Sequence, residues 1–361
     1  MDTQITPKQL KTWLLKSIPL KKSTLVTGPP GVGKSEIIEQ AAAEINANFM
    51  VVHASTSDPT YPGGLPWVVK QENGEVVANK VPFSDLYQMI TADKLLVVAI
   101  DDLGQASPMV QASWMQLLWA RRINGHKISD NVVFIAATNR KSDRAGVTQF
   151  IEPVKSRFTT IVQLRTDADD LIEYMLQKGK HPSVTSFLRY RPAYLDNSEF
   201  SKSELRDMER EAHNNITNLP SPRTIWNLSD LVEMSPPADM EFQLYAGAVG
   251  ERMAAEFYPH LKTYRSLPSL QTIFNDPDNA TVPTEPSAVW ATCGALAYRA
   301  DTDNFKNIMH YAKRLDRAYE VKLFIDCCNA HPDLTESPCG TYTKWAIENQ
   351  DIMIGKYQEA A

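Results

Sequence analysis

The chain has little with which to staple or anchor itself. Only four cysteines occur, Cys293, Cys327, Cys328 and Cys339, all late in the 361 residues. No Cys-x-x-Cys pair and no histidine at ligand spacing accompanies them, which argues against a disulfide framework or a zinc site and leaves free thiols. Long apolar runs are missing too, so no segment is suited to span a bilayer. The opening stretch MDTQITPKQLKTWLLKSIPLKK lacks the basic start, apolar middle and small-residue cleavage site of a signal peptide. The expectation is a cytoplasmic protein without membrane contact, in which the sequons at Asn215, Asn227 and Asn279 are chance matches. A basic excess is also lacking, with 37 Lys and Arg against 43 Asp and Glu and a formal net charge of −6. A general nucleic-acid coat needs a basic surface, so such a role is not favoured.

What is present is enough apolar sequence, 43%, to fill two or three cores. Leu10, Trp13, Leu14 and Ile18 recur at helical spacing behind a Thr6-Pro7 start signal. Short apolar strands then alternate with helices: STLVTG, SEIIEQAAAEI, NFMVVHA, FSDLYQMI, LLVVAI, PMVQASWMQLLWARR, NVVFIAATN and TTIVQL. This alternation predicts an α/β domain with a parallel sheet covered on both faces. Beyond about Leu164 only helical patterns follow. Among them the mixed-charge stretch Ser201 to Asn215 reads as a solvated helix or loop, and Asn275 to Ser287 as a linker.

Chemistry concentrates at the strand ends. GPPGVGKS, comprising Gly28, Pro29, Pro30, Gly31, Val32, Gly33, Lys34 and Ser35, fits G-x-x-x-x-G-K-[ST] between an apolar strand and an amphipathic helix. In that context the glycines turn backbone N–H groups toward a phosphate, Lys34 reaches the terminal phosphates and Ser35 can ligate Mg²⁺. The next informative strand, LLVVAI, runs into Asp101 and Asp102. Beside a P-loop the first carboxylate holds Mg²⁺ and the second orients the attacking water. A turn or cap is the bland alternative for Asp102. VVFIAATNR ends in Asn139, able to hydrogen-bond the water or a γ-phosphate. Arg157, in EPVKSRF, can solvate, pair with Glu152, or enter a neighbouring subunit's phosphate site. Arg223, in LPSPRTIW, puts a cation near a helix start, where an anion would offset the dipole.

Taken together, these motifs resemble the MoxR-like AAA+ ATPases: GPPGVGKS as Walker A, VVAIDDLGQA as Walker B, AATNR as sensor 1, VKSRF as the finger segment and SPR as sensor 2. Further stretches, TSDPTYPGGLP, QASWMQLLWARRINGHKI, HPSVTSFLRYRP and AVGERMAAEFYPHLKTYRSLP, extend the likeness over nearly the whole chain. The resemblance implies a P-loop αβα core with a five-stranded parallel sheet over 1–164, a helical lid over 165–242 and a C-terminal helical extension over 243–361. It implies ATP and Mg²⁺ as cofactors, a homo-oligomeric ring, expected to be a hexamer, and a partner with a von Willebrand factor A-like domain. By the same likeness Lys34, Ser35, Asp101, Asp102 and Asn139 act from one protomer, Arg157 from its neighbour, and Arg223 in cis or trans. It also assigns ARRINGHKI, with its Asn124-Gly125 hairpin signal, to an insert in the second core helix; this hairpin and the DPTYPGGLP loop either face a pore or client or are a plain surface hairpin and a Pro/Gly connector.

One departure concerns Walker B, where the family has Asp-Glu and this chain Asp-Asp. The missing methylene withdraws the second carboxylate by about 1.5 Å, and errors near 1 Å can cost on the order of 10²-fold in rate. The leading expectation is an ATPase that remodels a protein client. The alternatives are a nucleic-acid motor lined by Arg121, Arg122, His126 and Lys127, and a slow, nucleotide-gated scaffold.

Overall fold

Thr6 and Pro7 determine where the chain first turns helical. In the computed structural model, which describes residues 3–58, 60, 64–140, 150–196, 199–336, 340–350 and 352, the Thr6 hydroxyl accepts from the Gln9 amide and the Gln9 side chain accepts from the Thr6 N–H. This reciprocal cap satisfies two amides that the first turn leaves unpaired. Strand β1 (Gln4–Ile5) precedes helix α1 (Pro7–Ser17), followed by β2 (Thr24–Thr27), α2 (Lys34–Glu44) and β3 (Asn48–His53). A hairpin of β4 (Leu65–Lys70) and β5 (Val76–Val81) leads to α3 (Ser84–Thr91) and β6 (Leu96–Asp101). Then come α4 (Pro108–Ala120), a second hairpin of β7 (Arg122–Ile123) and β8 (His126–Lys127), β9 (Val132–Thr138), α5 (Glu152–Lys155) and β10 (Thr160–Leu164).

The main sheet is wholly parallel, in the order β1-β10-β2-β9-β6-β3. It has six strands rather than the expected five, because the two residues ahead of α1 add to the edge beside β10. Both faces are buried, as parallel strands require. Along β6, Val97 and Ala99 pack with Leu10, Leu14, Ile38 and Ala41 of α1 and α2, while Val98 and Ile100 pack with Leu86, Trp114 and Leu117 of α3 and α4. The two-residue period of a strand thus sorts one apolar run into two cores. Chain order reverses at β2, which lies between β10 and β9, so the carboxyl ends of β2, β9 and β6 border the crevice where open α/β sheets bind ligands.

Two features differ from expectation. The Asn-Gly hairpin forms, with Asn124 at φ 47° and Gly125 at φ 87°, but it follows α4, the third core helix when α1, which precedes β2, is set aside, and is not an insert in the second. The second core helix, α3, is instead preceded by the β4–β5 hairpin. Its apolar residues lie on both faces, without the alternation that marks a strand, and Leu65, Trp67, Val68, Val76 and Val81 are exposed. The His126 Nε2 lies 3.1 Å from the Lys80 carbonyl and joins the two hairpins. The DPTYPGGLP loop falls partly outside the described residues.

Residues 1–165 and 166–361 separate into two compact units. In the second, α6 (Ala168–Gln177), α7 (Pro182–Tyr190), α8 (Ala193–Asp196), α9 (Lys202–Asn215), α10 (Pro222–Glu233), α11 (Glu241–Val249) and α12 (Glu251–Arg265) come first. They are followed by α13 (Gln271–Asn275), α14 (Pro286–Tyr298), α15 (Phe305–Ala312), α16 (Arg317–Ala330) and α17 (Thr341–Glu348). One apolar cluster runs from Leu171 to Leu261 and so crosses position 242 without a break, and a second runs from Leu270 to Trp345. The mixed-charge stretch forms α9, which buries none of its residues. Cys293 and Cys327 are buried thiols and Cys328 is half-buried, while Cys339 lies outside the described residues. No helix among the described residues is long and apolar enough to cross a membrane.

Candidate nucleotide site

The loop between β2 and α2 is shaped by its glycines. Gly31 and Gly33 sit at φ 75° and 94°, a left-handed region that L side chains avoid, and Gly33 caps α2 without a side chain. Gly28 is needed for a different reason. A Cβ there would lie 2.9 Å from the Leu164 carbonyl oxygen, so only glycine lets the loop approach β10 this closely.

Lys34 opens α2 and is only 7% exposed. Its ammonium donates to the Gly28 and Pro29 carbonyls, both at 2.9 Å, and to Asn139 Oδ1 at 2.7 Å. Asn139 follows β9 directly, and β9 pairs with β2 so that Thr138 sits opposite Thr27. Asparagine at one strand end and lysine at the next helix start therefore meet. The Ser35 hydroxyl donates to Asp101 Oδ2 at 2.9 Å, and the other Asp101 oxygen accepts the Asp102 backbone N–H at 3.0 Å. His53, opposite Asp101 on β3, brings Nδ1 to 3.9 Å from the same carboxylate.

Asp102 leaves the strand in the left-handed conformation, φ 53°, and begins the 3-10 turn Leu103–Gln105. Gln105 Nε2 donates to its Oδ1 at 2.7 Å. Partial burial and the neighbouring Asp101 raise the Asp102 carboxyl above the usual range, against the opposing pull of Lys34, His53 and the Gln105 amide. The turn lies against β9: the Gly104 N–H donates to Thr138 Oγ1 at 3.2 Å, and Thr138 in turn reaches Gln105 Oε1 at 3.3 Å. Neither Gln105 nor Thr138 was expected from sequence. The only local hint is a polar residue three positions after Asp102, a spacing equally suited to a turn.

This arrangement can hold a magnesium nucleotide. The ammonium and the inward-turned loop suit phosphate oxygens, and the Ser35 hydroxyl beside the Asp101 carboxylate is an all-oxygen pair of the kind Mg²⁺ prefers.

Two further predicted residues take no part in these hydrogen bonds. Arg157 follows α5, and its guanidinium stacks 4.4 Å from the ring centroid of Trp119, whose side chain is 67% exposed. Its buried Nε has no hydrogen-bond partner among the described residues. Glu152 pairs instead with Lys155 at 2.6 Å. Arg223 belongs to the second unit and is exposed in the first turn of α10, whose reciprocal cap is made by Ser221 and Thr224.

The family described as ATPase family associated with various cellular activities (AAA) matches residues 24–166. A proteasome-activating nucleotidase of Sulfurisphaera tokodaii is 37% identical over 222 residues, covering 58% of this chain and 51% of that protein. One from Saccharolobus islandicus is 35% identical over 123 residues, covering 33% and 29% respectively. The chain thus spans about half the length, or less, of these curated relatives. Among solved structures, the Thermotoga maritima RuvB Holliday junction branch migration motor aligns over 82% of both chains at 16% identity, with a TM-score of 0.37. The parallel sheet, the loop around Lys34 and the match over the same residues agree, and residues 24–166 form an AAA-family ATPase domain.

Proposed function

We propose that the protein is a MoxR-like AAA+ ATPase that binds ATP with Mg²⁺ at the seams of a homo-oligomeric ring, a hexamer, and uses hydrolysis to remodel a protein partner. The observation that carries this reading is the convergence of Lys34, Ser35, Asp101 and Asn139 through direct hydrogen bonds over the ends of β2, β6 and β9. Lys34 exchanges its loop carbonyls and Asn139 for phosphate oxygens, and Ser35 and Asp101 hold the metal. Asp102 orients the attacking water, and Asn139, once released by Lys34, faces the γ-phosphate. When bound, Mg²⁺ supplies charge neutralisation on the phosphates. Arg157 acts on the neighbouring subunit's site, in keeping with a guanidinium that has no hydrogen bond or ion pair among the described residues. Arg223 adds a second cation from the lid.

A protein client, handled beside a partner with a von Willebrand factor A-like domain, is favoured over nucleic acid. The chain is acidic overall, and of the residues proposed to line a nucleic-acid pore Arg121 is already committed, donating to the Ser129 carbonyl at 2.6 Å. The matched relatives are themselves named for activating a proteasome. Lys34→Ala is the direct test, read by equilibrium binding of a fluorescent ATP analogue and by phosphate release. Loss of both, with the thermal unfolding midpoint retained, is expected. Unchanged binding would overturn the assignment of the site.

A further inference from the structure

We propose that Gln105 is a positioning residue for Asp102, its side-chain amide fixing the direction of the carboxylate and tying it to the end of β9. This rests on the reading of Asp102 as the acid that orients water. The amide engages both sides: Nε2 donates to Asp102 Oδ1 at 2.7 Å, and Oε1 accepts from Thr138 Oγ1 at 3.3 Å. The backbone supports it, since the Gln105 N–H donates to the Asp102 carbonyl at 3.0 Å and so closes the turn between them. Gly104 lets the turn sit against β9. A Cβ at this position would lie 2.2 Å from Thr138 Oγ1.

A hydrogen bond to an ionised acceptor is roughly twice as strong as a neutral one, and it limits rotation about the last torsion of the aspartate. That restraint matters more here than for the longer glutamate, because Asp102 has no spare reach with which to correct an error of direction. The path also continues to the P-loop. Thr138 is followed directly by Asn139, whose side chain accepts from Lys34. Lysine, asparagine, threonine, glutamine and aspartate therefore form one chain of contacts from the phosphate loop to the water-orienting acid.

The test uses the full chain with Gln105→Leu, which removes the amide, and Gln105→Glu, which keeps the shape but replaces the donor with an acceptor. Phosphate release should fall on the order of 10-fold to 100-fold in kcat, with the Kd for fluorescent ADP and for an ATP analogue unchanged within about twofold. In an Asp102→Ala background the second substitution should cost nothing further in residual turnover. In nucleotide-free protein the Tm shifts of Asp102→Ala and Gln105→Leu should likewise fail to add. Full additivity, or a loss of nucleotide affinity parallel to the loss of kcat, would overturn the role of Gln105. So would wild-type kcat in both Gln105 variants. If Asp102→Ala itself retains turnover, the reading of Asp102 fails instead, a result distinct from an indifferent Gln105.

Discussion

Burial at single side chains changes chemistry most clearly at His260. Its ring is 1% exposed, with Nε2 2.9 Å from Ser186 Oγ and Nδ1 2.8 Å from Ser287 Oγ. The Ser186 hydroxyl donates to the Ser183 carbonyl, so it accepts from Nε2–H and leaves Nδ1 to accept from Ser287. This neutral ring is satisfied without a proton to spare, and burial pushes its pKa down to about 4. In the unfolded chain the same group takes its proton near 6.5. Between those values the unfolded state binds more protons, so this contribution is complete above about pH 6.5 and is lost as pH falls toward 4. The span corresponds to roughly 3 kcal/mol. Chemical denaturation at pH 7 and pH 4.5 should show a steeper loss for the wild type than for His260→Gln, and equal slopes would refute this account. His260 lies in the stretch AVGERMAAEFYPHLKTYRSLP, where nothing in the local pattern distinguishes a core histidine from a surface one.

Elements of the second unit are joined by charge as well as by apolar contact. Arg189 of α7 pairs with Asp326 of α16 and with Asp169 of α6, and Lys322 of α16 reaches the same Asp169 at 2.8 Å. The Arg189 and Asp326 side chains are only 6% and 9% exposed. Removing Asp326 takes away the buried carboxylate and leaves Arg189 only the exposed Asp169, at a cost toward the lower end of the roughly 3–5 kcal/mol for breaking a buried pair. Asp326→Ala should lower the unfolding free energy obtained from denaturant titration by about that amount, whereas Lys322→Ala, at a more exposed pair, should cost under about 1 kcal/mol. A small effect of Asp326→Ala would mean that water reaches Arg189. Apolar spacing marks α6, α7, α10 and α15 and runs α11 and α12 together, the stretch that forms α9 reads as a solvated helix or loop, and α14 and α16 are not marked. This ion cluster was not legible either, because residues 169, 189 and 326 meet only after three helices pack. The β4–β5 hairpin was missed for a related reason, since the stretches LPWVVK and VVANKV offer no two-residue alternation between a buried and a wet face.

At the scale of the proposed ring the residue to test is Arg157, resting on an exposed tryptophan. If it serves a neighbour, Arg157→Ala should lose phosphate release while keeping ATP binding. Mixing it with Asp102→Ala should restore activity, because some seams then pair an intact acid with an intact arginine. Random closed rings place about a quarter of seams in that arrangement. Recovery toward that fraction of wild-type turnover is expected, and no recovery after subunit exchange would argue for action within one chain. GPPGVGKS, the apolar strand ahead of Asp101 and the alternation of strands and helices identified the nucleotide domain unaided. In each case the chemistry is local: glycine supplies backbone angles, lysine and serine follow at fixed spacing, and apolar period reports burial. Tertiary structure alone decided that Asn139 meets Lys34, that Gln105 and Thr138 stand between Asp102 and β9, and that Arg157 lies on Trp119. Except for Asp102 with Gln105, those contacts join residues far apart along the chain, and only the order of strands and the packing of helices on the sheet bring them within hydrogen-bond or stacking distance.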